Sequence, residues 1–446
     1  MPVFHRNPSG QRVALPGGFG TIWASVALDL VGFGIILPVL PQYAERFGAT
    51  ATTVGLLFAS FSVAQLLFAP VWGSVSDRIG RKPVLVVSLA GTAVGSLITG
   101  LAGSLPLLFA GRILDGMSGA SVSVAQASVA DLAAPEDRPR LFGLLGAAFG
   151  LGFVAGPALG ALAAVGGTRL PFLVAAGLAA VNAVVAVRRL PETHPRRRGA
   201  PADGFAGTAG RVPAAVVDGL GVEGLGGLDP GAVTDPQPVP APHPSAGAGG
   251  EAPDGSAEEA DGGAAVRRRA ALRRLVIVAF GSLAAFSAFE ATFALFGERR
   301  LGFEPASTGL VFAAIGLMLM LVQGGLVHPV VHRLGEARTL RLGLAVNAVG
   351  LLLLAAVHSW WALVPAVAAL VLGQGLATPS LTASVAAAAP EGRRGGVLGI
   401  QQSAGGLARV VGPIAGGLAF EHLGVPVPYL GGAALMLFCA ALVSGP

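Results

Sequence analysis

Five ionisable side chains stand well inside long apolar stretches of the chain: Asp29, Arg112, Asp115, Glu290 and Arg409. Placing such a group at the centre of a bilayer costs about 2.5 to 3.5 kcal/mol, so intramembrane charges are candidates for function. The chemistry open to them is proton handling. A carboxylate taken out of water holds a proton more tightly and a cation brought beside it releases that proton, so a moving arginine or admitted water loads and unloads it. On this reading Asp29, Arg112, Asp115 and Glu290 form the proton-coupling set. Alternatives stay open for each. Arg112 and Asp115, three apart on one helix face, could simply neutralise each other. Asp29 could be a cap or an interfacial carboxylate. Glu290 could serve a proton or a cationic substrate, or join an ion pair across helices. Arg409, three residues before Gly412-Pro413, could pair with an acid or touch substrate.

The elements that must position these groups are membrane helices. Of 446 residues, 53% are hydrophobic and 12% charged, against about 25% charged in an ordinary soluble domain, and the mean hydropathy is +0.71. A helix needs about 20 apolar residues to cross the hydrocarbon core. Runs of that size fall near 20–42, 53–75, 83–103, 106–130, 140–164 and 169–187, then near 272–297, 305–330, 338–357, 360–386, 394–419 and 424–444. The expected fold is an all-α polytopic membrane protein of twelve helices in two six-helix, pseudo-symmetric bundles. Residues 1–18 are expected to form a cytoplasmic tail, 19–190 and 271–446 the bundles, and 191–270, rich in Gly, Pro and Ala, a disordered linker.

Basic residues set the orientation. With the first residues inside, the short inner segments hold Arg6, Arg12, Arg78, Arg81, Lys82, Arg138, Arg140, Arg333, Arg338, Arg341, Arg393 and Arg394, and the outer ones Arg46, Arg169, Arg299 and Arg300. Twelve against four predicts both termini in the cytoplasm. The net charge of +5 is therefore topological, and no helix or aromatic platform for reading bases accompanies it, which argues against nucleic acid as a partner. The single cysteine, Cys439, excludes a disulfide framework and a Cys-based metal site. The Arg-rich, single-lysine, Ala/Gly-heavy usage suggests a high-GC bacterium, hence an inner membrane.

The halves repeat. Pro135-Glu136-Asp137-Arg138 followed by Gly156-Pro157-x-x-Gly160 recurs as Pro390-Glu391-Gly392-Arg393 followed by Gly412-Pro413-x-x-Gly416, and Arg78-Ile79-Gly80 is echoed by Arg333-Leu334-Gly335. Parallel repeats of this kind place a substrate site at their interface.

Between the second and third apolar runs the chain reads Gly73-Ser-Val-Ser-Asp77-Arg78-Ile-Gly80-Arg81-Lys82. This loop resembles the signature loop of the major facilitator superfamily. The segment Asp29-Leu30-Val31-Gly32-Phe33-Gly34 resembles the opening helix of its twelve-helix drug/proton antiporters, most closely the tetracycline-efflux group. Gly111-Arg112-Ile-Leu-Asp115-Gly116 resembles the family's buried-arginine motif, although position 115 is more often an amide or small residue. Gly152-x-x-x-Gly156-Pro157-x-x-Gly160 resembles the motif typical of exporters. Glycines four apart let a neighbouring helix approach closely, as any packed bundle could use, and Pro157 is expected to bend the helix at the half-to-half interface.

The resemblance implies proton-coupled efflux of lipophilic molecules by a monomer, powered by the proton gradient without a cofactor or metal. It gives Gly73, Asp77, Arg78, Gly80 and Arg81 a gating role, with Asp131 as the acid that partners the loop arginine. The second half has His332 and Glu336 at the corresponding places, so its latch is expected to be weak or absent. Phe33, Gln65, Gln126, Phe289, Gln323, Gln401 and Arg409 are expected to line the cavity, together with Phe61, Phe293, Gln374 and Gln402. The glutamines are read as buried amides. An apolar cavity with few polar anchors suits lipophilic drugs. Export of an endogenous metabolite such as a sugar, amino acid or siderophore is the rival. No phosphate-binding Gly-x-x-x-x-Gly-Lys loop or nucleophile elbow occurs in the sequence, which argues against ATP-driven transport and catalysis.

Overall fold

The computed structural model describes residues 4–6, 12–133, 137–193, 255–390 and 394–444. Phe4–Arg6 (β1) and Arg12–Ala14 (β2) pair as a short antiparallel ribbon in what sequence alone reads as a plain tail. Among the described residues all else regular is helical. The first half comprises α1 (Phe19–Ile36), α2 (Leu40–Glu45), α3 (Ala51–Ile79), α4 (Arg81–Leu101), α5 (Leu105–Ser118), α6 (Ser121–Leu132), α7 (Arg138–Ala164) and α8 (Leu170–Arg189). The second comprises α9 (Gly255–Leu301), α10 (Pro305–Leu321), α11 (Val327–Leu334), α12 (Glu336–Ala355), α13 (Trp360–Ala388), α14 (Arg394–His422) and α15 (Val427–Ser444), with a π turn over Val322–Leu326 joining α10 to α11.

Ten helical stretches among the described residues are long and apolar enough to cross a membrane. The twelve expected runs are completed by the shorter apolar stretch Val427–Val443 and by the split pair α5 and α6. That split corrects the continuous helix expected over 106–130. Ser118-Gly119-Ala120-Ser121 breaks it, Gly119 leaving the helical region at φ −72° and ψ 47°. Ser88 stitches the break, its hydroxyl donating to the Ser118 carbonyl and accepting from the Ala120 amide at 3.2 Å. The boundaries of the expected linker also move. α9 begins at Gly255, and residues 191–193 dock on the first half, with Leu190 and Thr193 buried. Residues 194–254 lie outside the described residues.

The two halves meet tightly at one end and part at the other. At the closed end Gly55 of α3 abuts the Pro413 carbonyl and Gly417 abuts Ala51. Gly316 likewise abuts Phe153, and a Cβ on Gly309 would fall 2.8 Å from that of Ala161. Toward the end bearing the α3–α4 turn, a side chain built on Gly73, Gly146, Gly324 or Gly399 would meet open space. The arrangement is one access state, open at the α3–α4 end.

Candidate functional site

In the first half the intramembrane charges form one connected group. Arg112 donates to Asp115 at 2.8 Å. Both are buried, and Thr92 also hydrogen-bonds Asp115. The Arg112 guanidinium lies 4.3 Å from the Phe61 ring centroid, and Phe61 tilts against Phe33 at 5.6 Å. Among the described residues the Nε of Arg112 has no hydrogen-bond partner. Asp29 is not on Arg112. Its carboxylate accepts from the Ser121 hydroxyl, the first residue of α6, and the charge of Asp115 reaches it. The helix break therefore presents α6's partly positive amino end to a carboxylate.

Sequence reading missed Ser121, Thr92 and Ser88. The available signal was the run Ser118-Gly119-Ala120-Ser121, whose small residues weaken helix continuity.

The second half holds a sparser set. Arg409 is exposed in the interface, on the same α14 face as Gly406 and Pro413, which meet Leu66 and Gly55 across the halves. Its charge reaches Glu290 on α9. Phe289 and Phe293 are corrected from cavity wall to core: both are fully buried in an aromatic stack, 5.1 Å apart, with Phe312 5.5 Å from Phe293. The Gln residues divide. Gln65 donates to the Gly119 carbonyl at 3.3 Å, and Gln374 accepts from Asn347 at 3.1 Å. Gln401 donates to Thr382 at 3.4 Å. Gln126, Gln323 and Gln402 are exposed, not buried.

The exporter-like glycines admit a neighbouring helix as expected, but that helix belongs to the same half, which corrects the half-to-half placement expected of Pro157. Gly152, Gly156 and Gly160 pack on α1: a Cβ on Gly156 would lie 2.6 Å from the Gly34 Cα, and one on Gly152 2.6 Å from the Leu30 Cβ. Pro157 faces Gly34 as well. An adjacent face of α7, through Phe153 and Ala161, meets α10 of the other half. So α7 couples the half-to-half contact to the helix carrying Asp29. Gly412 and Gly416 repeat this on α9, against Ala284 and Ala288.

The α3–α4 turn brings its predicted residues together. Arg81 donates to Asp77 at 2.6 Å, Asp131 at 2.9 Å and Ser76 at 2.6 Å, all within the first half. Gly80 adopts φ 105°, a conformation costly for other residues. On the last turns of α3 Gly73 is half-buried and Arg78 exposed. Glu192, unmarked in the sequence reading, accepts from the Arg81 amide at 2.9 Å and the Lys82 amide at 3.3 Å. Its signal was a carboxylate just past the basic end of α8. In the second half, neither His332 nor Glu336 joins an ion pair among the described residues.

At the closed end Gln42 donates to the Phe303 carbonyl at 3.0 Å, and the Thr52 amide donates to Glu421 at 3.0 Å. Arg299 lies 3.8 Å from Glu45. Burial, and then the neighbouring Glu298 carboxylate, push Glu45 up to about 7, while Arg299 opposes the shift.

Two helical halves sealed at one end, with charges set in their apolar interior, define a secondary membrane transporter rather than an enzyme. The sequence pattern of the Major Facilitator Superfamily matches residues 22–330 and 324–445, and the chain belongs to that family. It is 31% identical over 398 residues to the class C tetracycline resistance protein of Escherichia coli, covering 88% of this chain and 87% of that protein. Among solved structures, the human organic anion transporter MFSD10 (TETRAN) superposes with a TM-score of 0.62 at 26% identity, covering 96% of this chain and 98% of that one. The nucleoside transporter NupG, at 13% identity and a TM-score of 0.65, shares the fold.

Proposed function

We propose that this transporter exports small lipophilic molecules, tetracycline-like drugs among them, in exchange for protons, by alternating access across a cytoplasmic membrane. The observation that carries the reading is the connected group Asp29, Ser121, Asp115 and Arg112 beside the Phe33–Phe61 wall. Asp29 takes up a proton facing outward. Closing the outer end repacks α7 on α1 and releases the proton inward as the charges around Asp29 change. Each charge that crosses makes about 2.3 kcal/mol available per 100 mV of potential, so no cofactor is needed. The similarity to tetracycline resistance proteins supports the substrate class. With both termini inside, the open end of this structure faces the cytoplasm, as loading of an exported substrate requires. The chain works as a monomer, with lipid, protons and substrate as its partners.

One observation favours a second reading, export of an anionic metabolite. Arg409 is exposed in the interface, where it could hold an anion, and a relative of known structure is an organic anion transporter.

Proton movement in everted vesicles separates these. Drug-triggered loss of an imposed pH gradient, abolished by Asp29→Asn and reduced by Glu290→Gln, is the expected result. A gradient discharged by organic anions and untouched by drugs would select the second reading. No discharge by either class, with folded protein present, would overturn both.

A further inference from the structure

Among the described residues, no carboxylate in the second half takes the place that Glu192 takes in the first. In the first half Glu192 fills the corner at Gly80, where it meets the first amides of α4. In the second half Gly335 has the matching positive φ of 77° and begins α12, yet a side chain built there would meet nothing within 4 Å. A cavity of about 530 Å³ opens beside it between α12 and α15. Arg338, Arg341, Leu342, Ala345, Ala440 and Ala441 line it. Both arginines are exposed, and neither forms an ion pair among the described residues. Glu336, the nearest acid in sequence, stands on the same first turn and is also exposed.

The order of these residues along α12 specifies the ligand. Positions 338, 341, 342 and 345 share one helix face, and the face runs from cationic to apolar over roughly 10 Å. The same face continues through Val349, Leu352 and Leu353, all exposed, toward the bilayer interior. A free anion would use only the arginines. A phospholipid uses both parts, phosphate at the cationic end and an acyl chain along the apolar track.

We propose that the crevice between α12 and α15 is a binding site for an anionic phospholipid, whose phosphate takes at the second half the place that Glu192 takes at the first. Basic crevices between membrane helices hold anionic headgroups in this manner. The bound lipid ties the α11–α12 turn to the leaflet, whereas the α3–α4 turn is tied to its own chain.

Native mass spectrometry of the full chain in detergent tests this with phosphatidylglycerol and phosphatidylcholine. The unaltered protein is expected to retain phosphatidylglycerol over phosphatidylcholine by about tenfold. Arg338→Gln with Arg341→Gln should bring the two lipids to parity, whereas Arg188→Gln with Arg189→Gln, at the exposed end of α8, should leave the preference intact. Ala441→Trp, which fills the crevice and keeps both arginines, should lower phosphatidylglycerol retention by itself. All these positions are exposed, so folding is expected to survive. An undiminished preference in the α12 double variant, an equal loss in the α8 pair, or displacement of the lipid by millimolar inorganic phosphate would overturn the proposal.

Discussion

The two halves carry the same helix plan and spend charge differently. In the first, Arg112, Asp115, Thr92, Asp29 and Ser121 are linked by hydrogen bonds or direct charge, and Arg81 is held by two acids and a serine. In the second, the charge of Arg409 reaches Glu290 without an ion pair between them, and the turn at Gly335 carries no ion pair among the described residues. What both halves share is the glycine seam, α7 on α1 and α14 on α9. The difference teaches that close helix packing is the scaffold of the repeat, while coupling and gating are specialised in one copy.

The largest effect should come from breaking the buried pair. Arg112→Ala strands a buried carboxylate at a cost of about 3 to 5 kcal/mol, and adding Asp115→Asn should recover most of the loss in thermal unfolding. Transport should stay absent in both. A stable Arg112→Ala protein would erase the contrast between halves.

Next comes the seam. Gly156→Ala forces a methyl against the Gly34 Cα at 2.6 Å, and overpacking of this kind costs about 1 to 3 kcal/mol. Gly416→Ala meets a side-chain methyl of Ala288 at 2.9 Å. Similar losses at both positions would sharpen the reading of a shared scaffold, and a loss at one alone would break it.

The turns should separate more finely. Arg81→Gln frees Asp77 and the mostly buried Asp131, and a charge-assisted hydrogen bond of this kind is worth about 2 kcal/mol. Arg333→Gln should stay within about 0.5 kcal/mol, as for an exposed residue without a special contact. Denaturant titration of the two variants side by side makes the comparison.

The smallest effect is at the sealed end, where the halves touch through Glu45 and Arg299. With the halves together Glu45 protonates near 7, and apart it returns toward its ordinary 4.5. The sealed arrangement therefore binds a proton that the open one releases. It gains stability as pH falls through 7, gains no more below 4.5, and loses the contribution above 7. Screening limits the gain to about 1 kcal/mol. Spin labels at Val165 and Leu423, in a Cys439→Ala background, should report a larger sealed population at pH 5.5 than at pH 8. Glu45→Gln should abolish the difference.

Much of the fold was legible because hydropathy is a local property read at the length of a membrane crossing. The apolar runs, the two halves and the five interior charges needed no tertiary information. The Arg81 contacts with Asp77 and Asp131 were reached through resemblance, and the fold brings those residues together. Less legible were features set by how helices rotate against one another. Phe289 and Phe293 looked like cavity wall and lie in the core, because an all-apolar helix carries no sign of which face its neighbours cover. Pro157 looked like a bend between halves and packs on its own half, since spacing tells that something comes close without telling what.

The sequence by itself determined that the chain is a twelve-run membrane protein of repeated halves, with charge placed where charge is costly. Burial cost and helix length act residue by residue, so composition along the chain is enough. Only the tertiary structure decided that Asp29 meets Ser121 rather than Arg112, that the fourth crossing is broken at Gly119, and that the halves part at the α3–α4 end. Those outcomes depend on angles and contacts between segments far apart in sequence, where a rotation of one helix exchanges every partner and no local pattern records the choice.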